Sequence, residues 1–75
     1  MNEQRRKGIK AISDRLMSIR AELTSIKGEE DNSRDNMSPS MWGSEKFLNS
    51  EAASESIENA DGAIKEAIDY LEDIG

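Results

Sequence analysis

Two runs of heptad spacing, separated by a polar connector, constrain the fold of this chain more than any other feature. In the first, Ile9, Ile12, Leu16, Ile19, Leu23 and Ile26 follow one another at intervals of 3, 4, 3, 4 and 3 residues. That period lays one face of an α-helix against another helix, and no stretch of it alternates by two as a strand would. It predicts a first helix over about residues 3–28, with Asn2 as N-cap and Gly28 as its stop. Gly8 costs that helix about 1 kcal/mol against alanine and loosens its first turns. The second run, Ala53, Ile57, Ala60, Ile64, Ala67, Leu71 and Ile74, repeats the spacing, and Ala63, Ile68 and Tyr70 flank it. Ser44 after Gly43 is a good N-cap, so a second helix is expected over about residues 45–74. Its recurring alanines permit close approach, with isoleucine and leucine of a neighbouring helix filling the space above them.

Residues 29–43 form the expected connector, and the single proline within it, Pro39, suits the first position of one short helical turn after Ser38. Charge divides at the same boundary. Residues 1–28 carry a net +4 and residues 29–75 a net −10. Arg5, Arg6 and Lys7 stand at a helix N-terminus while Glu72 and Asp73 stand at a C-terminus, so each cluster opposes its own helix dipole. An antiparallel hairpin removes the conflict by laying Arg5, Arg6, Lys7 and Lys10 beside Glu66, Asp69, Glu72 and Asp73. The fold class is therefore all-α, with residues 1–75 forming one antiparallel two-helix hairpin. Two helices bury a single seam between them. Ile9, Leu16, Leu23, Ile57, Ile64, Ile68 and Leu71 need more cover than that, and pairing two hairpins into a four-helix bundle supplies it.

The composition removes most chemistry. With 75 residues, no cysteine and no histidine, the chain lacks disulfides, thiol chemistry, the usual general base and the commonest metal ligand. Its apolar runs are too short to cross a membrane or to serve as a signal peptide. A net charge of −6 argues against binding nucleic acid through its phosphates. Asp31, Ser33 and Asp35 have the spacing that opens a calcium loop, but Asn36 replaces the turn glycine and Trp42 stands where the bidentate glutamate belongs. Asn36-Met37-Ser38 is a formal glycosylation sequon followed by proline. Carboxylate pairs abound, but a chain this small offers no enclosure to push their pKa values apart. No catalytic, cofactor-binding or metal-binding residue is assigned, and an enzyme is not expected.

Two surfaces are candidates for holding a partner. The acidic stripe Glu51, Glu55, Glu58, Glu66, Asp69 and Glu72 is either an ordinary solubilising face or a mimic of a DNA phosphate row for a basic groove. Met37, Met41, Trp42 and Phe47 either plug the open end of the hairpin or present an apolar anchor, since Trp and Met are favoured in interfaces.

The basic opening Asn2-Glu3-Gln4-Arg5-Arg6-Lys7, the heptad helix and acidic connector, then Asp35-Asn36-Met37 with Pro39, Gly43-Ser44-Glu45 and the closing Ala67-Ile68-Asp69-Tyr70-Leu71-Glu72 resemble a group of small acidic helical-hairpin proteins of phage and prophage origin. The chain departs from that group in a less acidic N-terminal half and in Ser38 standing between Met37 and Pro39. The resemblance implies a non-enzymatic accessory protein in the cytoplasm of a bacterial host. Such a protein would act by binding a host protein, for instance by inhibiting a defence enzyme. A purely structural or assembly role, acting through self-association alone, is the other expectation.

Overall fold

A computed structural model describes residues 1–74. The chain is α1 (Glu3–Asp35), a 3-10 turn (Pro39–Met41) and α2 (Glu45–Glu72), with no strand among the described residues. The two helices pack antiparallel into a rod 59 Å long, 15 Å wide and 12 Å deep. Asn2 caps α1, its Oδ1 accepting the Arg5 amide at 2.8 Å, and Ser44 caps α2 by accepting the Phe47 amide at 3.2 Å.

Gly28 does not end the first helix, which runs on to Asp35. Seven residues assigned to the connector are thus helical. The physical reason is a chain of ion pairs that bridges the glycine. Lys27 donates to Asp31 at 2.8 Å, and Arg34 donates to the other oxygen of the same carboxylate at 2.8 Å. These contacts, tied in turn to α2, offset the ~1 kcal/mol that a mid-helix glycine costs. The helix stops instead at Asn36, whose amide donates to the Asn32 carbonyl. The short turn at Pro39 forms as expected, although the Ser38 hydroxyl pairs with Ser40 at 2.9 Å rather than capping it. Gly43, at φ +84°, is the one described residue with left-handed backbone, and only glycine takes that conformation freely, so it sets the entry into α2.

The seam between the helices differs from the expected one by a rotation of about 50° on each helix, half the angle between consecutive residues. On α1 the covered columns are Ile9, Leu16 and Leu23 beside Ser13, Arg20 and Lys27. On α2 they are Ile57, Ile64 and Leu71 beside Ser54, Asp61 and Ile68. Ile12, Ile19 and Ile26, expected in the seam, remain 43%, 41% and 52% exposed. Ala53, Ala60 and Ala67 are likewise exposed. These columns take their place because Arg20 and the cluster around Arg34 pair across the hairpin. The Arg20 guanidinium grips the Asp61 carboxylate through two bonds of 2.8 and 3.1 Å, and Arg34 donates to Ser50 at 3.2 Å and Ser54 at 3.0 Å. Among the described residues Ile68 is the single buried large apolar side chain, at 4% exposure.

Candidate functional site

The rotated seam divides the outside of the rod into two unlike faces. In an antiparallel pair, columns displaced from the seam in the same rotational sense lie on the same side. The column Ile12, Ile19, Ile26 and the column Ala53, Ala60, Ala67, Ile74 are displaced in the same sense, so both border one side of the hairpin. Beyond the alanines, the next column of α2 is Asn49, Ser56, Ala63 and Tyr70, and it carries no charge. This side is an apolar face running along the rod. The opposite side carries Glu51, Glu55, Glu58, Lys65, Asp69 and Glu72 on α2, all exposed, and Lys7, Lys10, Asp14 and Met17 on α1. The expected acidic stripe therefore lies away from the apolar face, except that Glu66 points outward between them.

The polar cluster at the connector end is built from both helices. Asp31 accepts from Lys27 at 2.8 Å, from the Ser54 hydroxyl at 2.7 Å and from Arg34 at 2.8 Å. Ser50 and Ser54 are buried, and Arg34 satisfies both hydroxyls. Those bonds, that of Lys27 first, then Ser54 and Arg34, hold the Asp31 carboxyl well below the usual carboxylate range. The Arg20 bond lowers Asp61 in the same direction. The partners respond reciprocally: bonding to Asp61 raises Arg20, and bonding to Asp31 raises Lys27. The calcium-like spacing is thus spent on helix structure. Asp31 and Asp35 lie one turn apart on α1 with Ser33 on the opposite face, and Asp31 is engaged by cations of the chain itself.

A stability profile against pH follows with a definite sign. Both carboxylates have a folded pKa below the unfolded value of about 4. Their stabilisation is therefore complete above that value and is lost as pH falls through the folded values. The expected result is a melting temperature level between pH 7 and 5 and falling below about pH 4. Asp31→Asn should lower the melting temperature at pH 7 and shrink the acid-induced fall relative to wild type, as read by circular dichroism. An acid fall of equal size in the variant would remove Asp31 from this account.

At the end of the rod where the termini meet, Arg6, Lys7, Ile9, Ser13, Leu71 and Glu72 share a cleft of about 410 Å³. The basic start of α1 and the acidic end of α2 are therefore neighbours. Yet among the described residues no ion pair joins Arg5, Arg6, Lys7 or Lys10 to Glu66, Asp69, Glu72 or Asp73. Lys10 pairs instead with Asp14, and Asp69 with Lys65, each one turn along its own helix. The expected juxtaposition holds at the level of the field, while the direct cross-hairpin ion pair is Arg20–Asp61 at mid-rod. Ser13, buried against this end, is the one buried described side chain whose hydroxyl lacks a hydrogen-bond partner.

The connector end splits the aromatic and methionine group. Met37 and Phe47 are half-buried and close the seam, whereas Met41 is exposed and Trp42 is 59% exposed. Leu48, in the first turn of α2, is also exposed and was not among the expected residues. Its position outside the heptad columns was the available signal. No helix among the described residues is long and apolar enough to cross a membrane. No known protein family, characterised protein or solved structure matches this chain.

Proposed function

We propose that this chain is a non-enzymatic protein-interaction module that works as a homodimer, two hairpins joined through the apolar face into a four-helix bundle. The observation that carries the reading is the exposed isoleucine column Ile12, Ile19 and Ile26 lying on the same side as the uncharged alanine columns. With one buried large apolar side chain among the described residues, the hairpin has a small core, and below about 80 residues a single core rarely supplies more than about 3–5 kcal/mol. The apolar columns run about 31 Å along a rod 15 Å wide, an outline of about 470 Å², and the polar side chains bordering them make up the rest of the roughly 800 Å² per partner that a standard stable interface buries.

In such a dimer the acidic face and the Trp42 end stay outside. We assign partner binding to Trp42 with Met41, because a charged helix exterior already has a sufficient role in solubility, whereas an exposed tryptophan does not. The resemblance to phage proteins supports a host protein as the target, with inhibition of a defence enzyme as the fitting outcome. The test is capture of co-purifying proteins from the bacterial host by wild type and variants. Trp42→Ala should speed dissociation of the captured protein with weak salt dependence, while the melting temperature of the same sample shows whether the hairpin end has loosened. If Glu51, Glu55 and Glu58 carry the contact instead, replacing them with glutamine slows association, and binding of the wild type weakens steeply with salt. That outcome would transfer the role to the stripe.

A further inference from the structure

The hairpin alone does not say how a second copy would lie on its apolar face, and two symmetric arrangements are open to it. The two-fold axis either runs along the rod, placing α1 against α2 of the second copy, or crosses it, placing α1 antiparallel to α1 of the second copy. We propose the crossed arrangement, with the axis passing between Leu16 and Ile19 on α1 and between Ile64 and Ala67 on α2. This rests on the dimer reading above and deepens it.

The register within one hairpin fixes which residues share a level. The bond of Arg34 to Ser50 and of Asp31 to Ser54 sets the level of Ile19 beside Ile64 and that of Leu16 beside Ala67. Continuing by heptad steps, Ile12 lies level with Leu71, Leu23 with Ala60, Ile9 with Ile74 and Ile26 with Ile57. With the axis along the rod, each level meets itself. Four layers then hold four large side chains, and the two layers of Leu16 with Ala67 and Leu23 with Ala60 hold two large with two alanines, an uneven filling that leaves space at each alanine layer. With the crossed axis, Leu16 and Ala67 meet Ile19 and Ile64 of the second copy, and Ile12 and Leu71 meet Leu23 and Ala60 of the second copy. Every central layer then holds three large side chains and one alanine. The outermost apolar layers, Ile9 and Ile74 with Ile26 and Ile57 of the second copy, hold four isoleucines.

The charges agree with the same axis. Arg15 and Glu22 border the apolar face of α1, and neither has an oppositely charged neighbour one turn away or an ion pair among the described residues. The crossed axis sets Arg15 against Glu22 of the second copy, and symmetry makes this pair twice. Arg5 and Glu30, which interrupt the apolar columns at their two ends, also fall opposite one another. On α2, Tyr70 comes to lie over Ala63 of the second copy, a large side chain over a small one. Sliding the copies by one heptad sets Glu22 against itself and Glu30 against Ile12, so the register is determined together with the direction.

The chain has no cysteine, which makes disulfide trapping clean. Ile9→Cys and Ile26→Cys chains are mixed and oxidised. In the crossed dimer these positions face one another between copies, whereas each lies about 25 Å along the helix from its own counterpart, too far for a disulfide. The mixture should yield a covalent heterodimer, and neither variant alone should cross-link. In parallel, Arg15→Glu and Glu22→Arg should each weaken dimerisation at least about tenfold at low salt, and the double variant should restore it. A dimer by sedimentation that fails to cross-link in the mixture, or that cross-links in Ile9→Cys alone, would overturn the crossed arrangement and leave the dimer reading standing. Monomeric wild type would overturn both.

Discussion

Ile68→Ala is expected to destabilise the protein by about 2–5 kcal/mol, the range for removing a buried isoleucine side chain where neighbours only partly collapse. The size matters because small domains hold only about 5–15 kcal/mol in total, and this one sits at the low end of domain size. Ile68 faces the hairpin seam at 4% exposure, among Ser13 and the apolar columns of both helices. Among the described residues no other large apolar side chain is as well covered by the chain itself. Urea unfolding followed by circular dichroism measures the loss. An effect under about 0.5 kcal/mol, the scale of surface substitutions, would mean that the seam is not the one described.

Ile19→Asp is expected to act differently, on association rather than on the hairpin seam. Ile19 is 41% exposed in the hairpin, so aspartate there meets water while the chain is alone. In the dimer the same carboxylate would enter a central apolar layer on each of two copies. Burying it costs several kcal/mol or forces it to take up a proton. Two such groups should raise the dissociation constant by at least about a hundredfold, since 1.4 kcal/mol is a factor of ten. The melting temperature should then fall and become insensitive to further dilution, because stability gained by association is lost with it. Asn59→Asp, on the outer side of α2, is the control that adds the same charge away from both interfaces and leaves the dimer constant unchanged. Equal effects from Ile19 and Asn59 would show that charge alone, rather than burial, is responsible.

Much of this architecture was legible in the sequence, and the part that was not has a specific cause. The heptad columns, the two N-caps and the opposed terminal charges lead to two antiparallel helices. What they conceal is which columns face each other inside one chain. Ile12, Ile19, Leu16 and Leu23 form the most apolar stripe on α1, and apolarity by itself aims the middle of that stripe at α2. Arg20 and Arg34 instead turn their own column inward because Asp61, Ser50 and Ser54 on α2 stand ready to pair with them. Such pairs join residues 41 or 20 positions apart, as for Arg20–Asp61 and Arg34–Ser54, and no local spacing announces them. The same cluster carries α1 through Gly28, whose stop signal is a local preference that tertiary contacts override. The stripe read from the sequence is not without meaning. In the proposed bundle it points to the centre, between the hairpin seam and the apolar face, where a column of isoleucine on α1 and a column of alanine on α2 both find cover. The trade-off is visible within α2, which spends Ser54 and Asp61 on the hairpin and keeps every charge off the columns from Ala53 to Ile74.

Among candidate partner-binding residues, sequence reasoning grouped Met37, Met41, Trp42 and Phe47 by composition and proximity along the chain. Their separation into closing and exposed members depends on the turn at Pro39 and the left-handed Gly43, which aim neighbouring side chains in different directions.

The central claim is that the apolar face is an interface between two copies, and sedimentation equilibrium of the wild-type chain over low to high micromolar concentration tests it most directly. The expected result is a single species of twice the chain mass at high micromolar concentration, dissociating on dilution and prevented from forming by Ile19→Asp. A wild-type chain that stays at the monomer mass throughout, with full helicity and a concentration-independent melting temperature, would contradict it.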